Sequence, residues 1–231
     1  MADKEGVGVP QLGSDDQDTK TALLKAALGS VPVAGPVLAE LVGFIIPRQR
    51  QDRFEQYLLL LAERLASVEE HVVQKIAESE RAADLFEEGA IQSARAISNE
   101  RKAYITALVA NGLSGDQQEQ IDAKRLLKLL GEIDDDQVIL LCKYLDRYSE
   151  DEEWVEKHEA LIYGDPPSED DDEATELRHW MRQLAIDQIE RLGLIKRKNV
   201  TRSGARAPGY ELTWLGRSLL NRIGLAEMDE H

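Results

Sequence analysis

The sequence predicts a mainly α chain, with an N-terminal helical bundle built on a long helical hairpin and then a small α+β unit closed by two short strands. Three observations carry this. Apolar residues recur at helical spacing over residues 54–108. Strand-like alternation is confined to the C-terminal end, in Tyr210-Glu211-Leu212-Thr213-Trp214. One stretch, residues 22–47, reads ALLKAALGSVPVAGPVLAELVGFIIP, with Lys25 and Glu40 its only charges in a chain that is 31% charged. The rest of the molecule must bury that stretch or deliver it elsewhere.

Residues 1–13 are polar and Gly-rich and read as a disordered tail. The start shows no basic segment followed by an apolar core, so no signal peptide is expected. Ser14, ahead of Asp15, Asp16 and Gln17, has the spacing of a helix start, and the bundle is expected over 14–113. Within 22–47 the run Gly29-Ser30-Val31-Pro32-Val33-Ala34-Gly35-Pro36 breaks any single rod. Two short helices are predicted, about 15–28 and 36–46, with Pro36 in a first turn and Pro47 as the stop. The second is about 15 Å long, roughly half of a hydrocarbon core. Gly35, Ala39 and Gly43 are small residues four apart, a ridge for close helix packing in a protein core or in a membrane. A buried core hairpin and a membrane-active segment both fit.

After Pro47 the run Arg48-Gln49-Arg50-Gln51-Asp52-Arg53 is a solvated hinge. The long hairpin is expected over 51–112. Its first helix carries Phe54, Leu58, Leu61, Leu65, Val68 and Val72 as a seam, widened by Tyr57, Leu60 and Ile76. Its second runs over 81–110 with Phe86, Ala90, Ile97, Tyr104 and Leu108 on one face, and Asn111-Gly112 as its stop. Residues 113–118 read as a link. Shorter helices are expected at 121–130 and 135–148, with Asp134, Asp135 and Asp136 at the second one's N-terminus and Cys142 as a buried small hydrophobe. Residues 149–173 read as an acidic, solvated connector whose middle is tethered by Trp154, Leu161, Ile162 and Tyr163.

The last unit, 119–226, is interrupted by that connector. Leu177, Met181, Leu184, Gln188, Ile189 and Leu192 give one helix face with Trp180 at its edge, and Gly193 ends the helix. Strands are expected at 194–197 and 210–214, joined by a basic loop, and a helix at 216–223 closes the unit.

Formal net charge is −16, from 44 acidic against 28 basic side chains. This opposes non-specific adhesion to nucleic acid or anionic lipid by the molecule as a whole. A single cysteine excludes an intrachain disulfide and suits the cytoplasm. The histidines (His71, His158, His179, His231) have no metal-ligand spacing, and neither a phosphate-cradling loop nor a nucleophile turn is present. No catalytic residue, metal, cofactor or small-molecule substrate is expected. Over 191–210 there are six cations and no acid. Lys196, Arg197, Lys198, Arg202 and Arg206 form a basic loop able to grip phosphates or a protein surface. A protein partner or self-association is expected, with nucleic acid and a triggered membrane contact as the competing uses.

Two features resemble a winged-helix domain. One is the helix running into Arg191-Leu192-Gly193-Leu194-Ile195. The other is Tyr210-Glu211-Leu212-Thr213 leading into Leu215-Gly216-Arg217-Ser218-Leu219-Leu220. The resemblance implies a recognition helix, a two-stranded wing and a final helix. The whole order, with its 32–47 segment and its Leu-Thr-Trp-Leu-Gly segment, is similar to the abortive-infection alpha family of bacterial proteins. That likeness implies a non-enzymatic role in phage defence; a DNA-binding regulator is the alternative the wing suggests.

Overall fold

The computed structural model describes residues 48–65, 79–164, 172–198 and 209–227. The apolar stretch 22–47, with Gly35, Ala39 and Gly43, lies outside them, as do Val68, Val72, Ile76, Arg202 and Arg206. Among the described residues the chain is mainly helical with one small antiparallel sheet. The elements are α1 (Arg48–Leu65), α2 (Glu80–Arg95), α3 (Asn99–Ser114), α4 (Gln117–Gly131), α5 (Asp135–Cys142), α6 (Asp146–Ser149), α7 (Glu152–Ile162), α8 (Glu173–Arg191), β1 (Ile195–Arg197), β2 (Tyr210–Leu212) and α9 (Trp214–Arg222). No helix among these residues is long and apolar enough to cross a membrane.

The seam expected on α1 is its buried face: Phe54, Tyr57, Leu58, Leu61 and Leu65 are all inside. Each such side chain contributes roughly 1.5–3 kcal/mol by leaving water. α1 packs on α2 and α3, and the Tyr57 ring meets Phe86 at a tilt with centroids 5.9 Å apart. α4 also packs on α2 and α3, although its residues read from sequence as the start of the C-terminal unit. Asp116 starts it with a full capping box to Glu119.

The single helix expected over 81–110 is two helices. Ala96 and Ser98 are extended, and the Ser98 hydroxyl accepts from the Arg101 N–H at 3.0 Å, opening α3. Ile97, placed on the apolar stripe from sequence, is 85% exposed in this corner. The corner is held from outside. Ser98 donates to Asp135 Oδ2 at 2.6 Å, and Arg101 donates to Asp135 Oδ1, Leu130 O and Ile133 O at 2.7, 2.9 and 2.9 Å.

The helix expected over 135–148 also divides. Asp134 caps α5 with a second capping box, to Gln137, but Leu145 is extended and a four-residue α6 follows. Cys142 is buried as expected, and burial pushes its thiol up to about 12. The folded chain therefore keeps this thiol neutral at pH 8 and should resist iodoacetamide there, while the urea-unfolded chain is alkylated; mass spectrometry reads the difference. Because the unfolded thiol ionises first, this group removes stability as pH rises above about 9.

The acidic connector is not a loop throughout. Asp151 caps α7, whose inner side is pinned by Ile162, fully buried, and by Trp154, whose ring meets that of Tyr148 at a tilt with centroids 5.1 Å apart. Tyr163, expected as a tether, is exposed, with Lys143 Nζ 4.9 Å from its ring centre.

The strands expected from sequence pair in the register Ile195↔Leu212, Lys196↔Glu211 and Arg197↔Tyr210. Gly193, at φ +73, turns α8 into β1, and the Leu194 and Gly193 N–H groups bond back to Ile189 O and Glu190 O as in a Schellman stop. At the other junction Thr213 donates its hydroxyl to Gly193 O at 2.6 Å and its N–H to Leu194 O at 3.0 Å. Its hydroxyl also accepts from the Gly216 N–H at 3.0 Å. α9 thus sits directly on the β1 entry. One apolar core runs from Phe54 through Leu141, Ile189 and Leu194 to Leu219 and Ile223.

Candidate interaction surface

α8 is the element on which the candidate surface is built. Its Ile186 and Ile189 face the core, and the Gln137 side chain donates to Ala185 O at 3.1 Å, fixing the C-terminal half against α5. One turn earlier Arg182 points to α7. It donates to Leu161 O at 2.5 Å and Ile162 O at 2.8 Å, and Lys143 donates to the same Ile162 O at 2.6 Å. Two cations thereby close the negative end of α7. Desolvation, and for Lys143 the Arg182 charge, lower the pKa of both groups.

These two anchors set the rotation of α8 and turn the rest of its apolar face outward. Leu177, Trp180, Met181 and Leu184 are 60%, 60%, 56% and 51% exposed. The sequence placed these residues on one face with Ile189 and Leu192, and the structure splits that face. Their spacing of three, one and three residues makes a single strip. Glu173, Glu176 and Arg178 are also exposed on this helix. Four apolar side chains in one strip offer packing area and, save the indole N–H, no donor or acceptor. Reading DNA bases in the major groove needs several such groups.

The basic run around the two strands is less free than its composition implies. Lys196 faces Glu211 across the two strands at 3.1 Å. Arg197 meets Glu190 at 3.2 Å and lies 5.9 Å from the Tyr210 ring centre. Both pairs lie at the surface, where water and salt screen them, yet they place two carboxylates where phosphates were expected. Lys198 is exposed, and its backbone N–H donates to Gly209 O at 2.7 Å.

Among the described residues no group of His, Cys, Asp or Glu is arranged to hold a metal ion. His158 is engaged through Nδ1 with Trp154 O at 2.8 Å. A groove of about 670 Å³ opens elsewhere, between the α3–α4 turn and α9. Sequence reading missed it, because its walls are some hundred residues apart in the chain; the one local signal is Trp214, an aromatic on the outer side of a short helix. Comparison with family models, with curated proteins and with solved structures finds no match to this chain.

Proposed function

We propose that this chain is a non-enzymatic interaction protein of bacterial phage defence, in which a winged-helix unit senses a protein partner. The order α8, β1, β2, α9 supports the winged-helix reading, with α8 in the place of its recognition helix. The observation that carries the partner is the exposed strip Leu177, Trp180, Met181 and Leu184. An amphipathic helix of the partner, laid along α8, buries that strip. The defence role rests on the resemblance of the 32–47 and 212–216 segments to the abortive-infection alpha family. Under it, residues 22–47 are the effector segment, directed to the membrane once the partner is engaged. The runner-up, a DNA-binding regulator, draws on the acid-free run 191–210 and is opposed by Glu190 and Glu211, which occupy Arg197 and Lys196.

Phage challenge of a bacterial host expressing the chain tests this. Wild type is expected to lower plaque counts, and Trp180→Glu with Leu184→Glu to restore them. Both positions are exposed, so the variant should keep its circular dichroism spectrum. Losing one central aromatic anchor weakens a partner by about 2 kcal/mol or more, roughly thirtyfold. Lys196→Gln, Arg197→Gln and Lys198→Gln together should leave protection intact. Protection by the α8 variant equal to wild type refutes the docking strip. Loss in the wing variant alone transfers the reading to DNA, and no protection by wild type against any phage removes the defence role.

A further inference from the structure

The groove between the α3–α4 turn and α9 has features of a small-molecule site. Its volume, about 670 Å³, lies in the range of ligand pockets, about 300–1,000 Å³. Asn111, Arg125, Leu126, Trp214, Ser218 and Arg222 give its wall a distinct chemistry. Trp214 stands on the first turn of α9 and is 75% exposed, an uncovered indole at the edge of a cavity. Leu126 adds apolar surface from α4. Two guanidinium groups border the same space. Arg222 has no side-chain partner among the described residues, and Arg125 reaches Asp122 only at 3.4 Å with 73% of its side chain exposed.

The acids that share the groove are used locally. Glu119 accepts the Asp116 N–H at 2.8 Å in the α4 cap, and Asp122 accepts from the Gln118 amide at 3.0 Å. Asn111 donates its Nδ2–H to Arg222 O at 3.1 Å, which ties α3 to α9 and leaves its Oδ1 as an acceptor. Ser218 is 7% exposed and its hydroxyl has no hydrogen-bond partner. A buried hydroxyl without a partner is a rare and costly arrangement, relieved when an acceptor arrives.

We infer that this groove binds a planar aromatic anion, its ring on Trp214 and Leu126 and its acidic group between Arg222 and Arg125. An indole face and an aliphatic side chain accept a flat ring, and a guanidinium pair accepts a carboxylate or sulfonate through charge-assisted bonds. The site is independent of the α8 strip, and its walls come from both the bundle and the C-terminal unit, so an occupant holds the two together.

The probe is 1-anilinonaphthalene-8-sulfonate, titrated into the full chain carrying Trp154→Phe and Trp180→Phe, in which Trp214 is the remaining tryptophan. Saturable quenching of Trp214 emission is expected, with matching gain of probe emission and a higher Tm. Arg222→Gln should weaken the affinity about tenfold or more, the effect of losing a hydrogen bond to a charged group. Leu126→Glu, at a wall residue that is itself buried, should abolish the saturable phase, while Leu184→Glu on α8 should leave it unchanged. A fold check by circular dichroism accompanies each variant, and Arg222→Gln, altering a half-buried side chain without a pairing partner among the described residues, remains decisive if Leu126→Glu fails to fold. Quenching that does not saturate, or that Arg222→Gln leaves as in the parent chain, overturns the assignment.

Discussion

Replacing Gly216 by alanine is expected to lower Tm by roughly 10 °C and to unseat α9. A β-carbon at this position would lie 2.1 Å from Leu194 O, 3.0 Å from Leu194 C and 3.0 Å from Leu212 Cδ2. The first two are backbone atoms at the entry of β1, and they are not free to move. Leu194 O already accepts the Thr213 N–H, and Gly193 O accepts the Thr213 hydroxyl, so shifting α9 outward breaks the bonds that position it. Overpacking costs about 1–3 kcal/mol, and each hydrogen bond lost adds about 1 kcal/mol. A total near 3 kcal/mol corresponds to roughly 6–12 °C for a chain of this size. A thermal melt followed by circular dichroism reads it, and a Tm within 2 °C of wild type would show that α9 can slide without penalty. The Leu-Thr-x-x-Gly pattern thereby acquires a cause: threonine to bridge two carbonyls and cap the helix, glycine because the helix must touch the strand.

The second large effect is expected at Arg101. Its side chain is 12% exposed and serves three acceptors, on α4, on the link after it and on α5, while Asp135, at 43%, also receives Ser98. Arg101→Met keeps the aliphatic stem but leaves the Leu130 and Ile133 carbonyls and the Asp135 carboxylate without this donor. A cost of about 3 kcal/mol is expected, at the low end for a broken buried pair because Asp135 can still reach water. Arg101→Lys should recover only part of this, since one ammonium cannot reproduce the guanidinium fork. Urea unfolding of Arg101→Met, Asp135→Asn and the double variant gives the coupling, expected at about 1–3 kcal/mol. Additive effects would mean that the corner is held by Ser98 and packing alone.

These two positions show what was legible in the sequence. The α1 seam, the Asp134 helix start, the Gly193 stop and the two strands follow from local rules that need no tertiary partner, and each is present. The 96–98 corner was not legible, because the apolar period runs through Ile97 and the residue that holds the bend, Asp135, lies 37 positions away from Ser98. α7 was hidden by its acids: a composition that reads as solvated loop becomes helix once Lys143 and Arg182 close its end. For the candidate surface the residue types were visible and their exposure was not. Leu177, Trp180, Met181 and Leu184 have the period of a core stripe, and only the anchoring of Arg182 and Ile186 decides that the stripe looks outward.

The uneven attachment of α8 has a kinetic consequence. Its buried residues are Ile186 and Ile189, both in the last two turns, while the first three turns carry the strip, with the Asp172 cap and the Arg182 contact among their attachments. A helical segment of about twelve residues with few buried side chains is marginal in water on its own, so its amides are expected to exchange faster than those of the core-facing end. A partner that settles on the strip must also quiet it, and part of the contact energy goes into lost chain entropy. Binding of that kind is weaker for its area and reverses quickly. Under the proposed docking role, such a strip favours sampling many chains over long residence on any one whose apolar face does not match it.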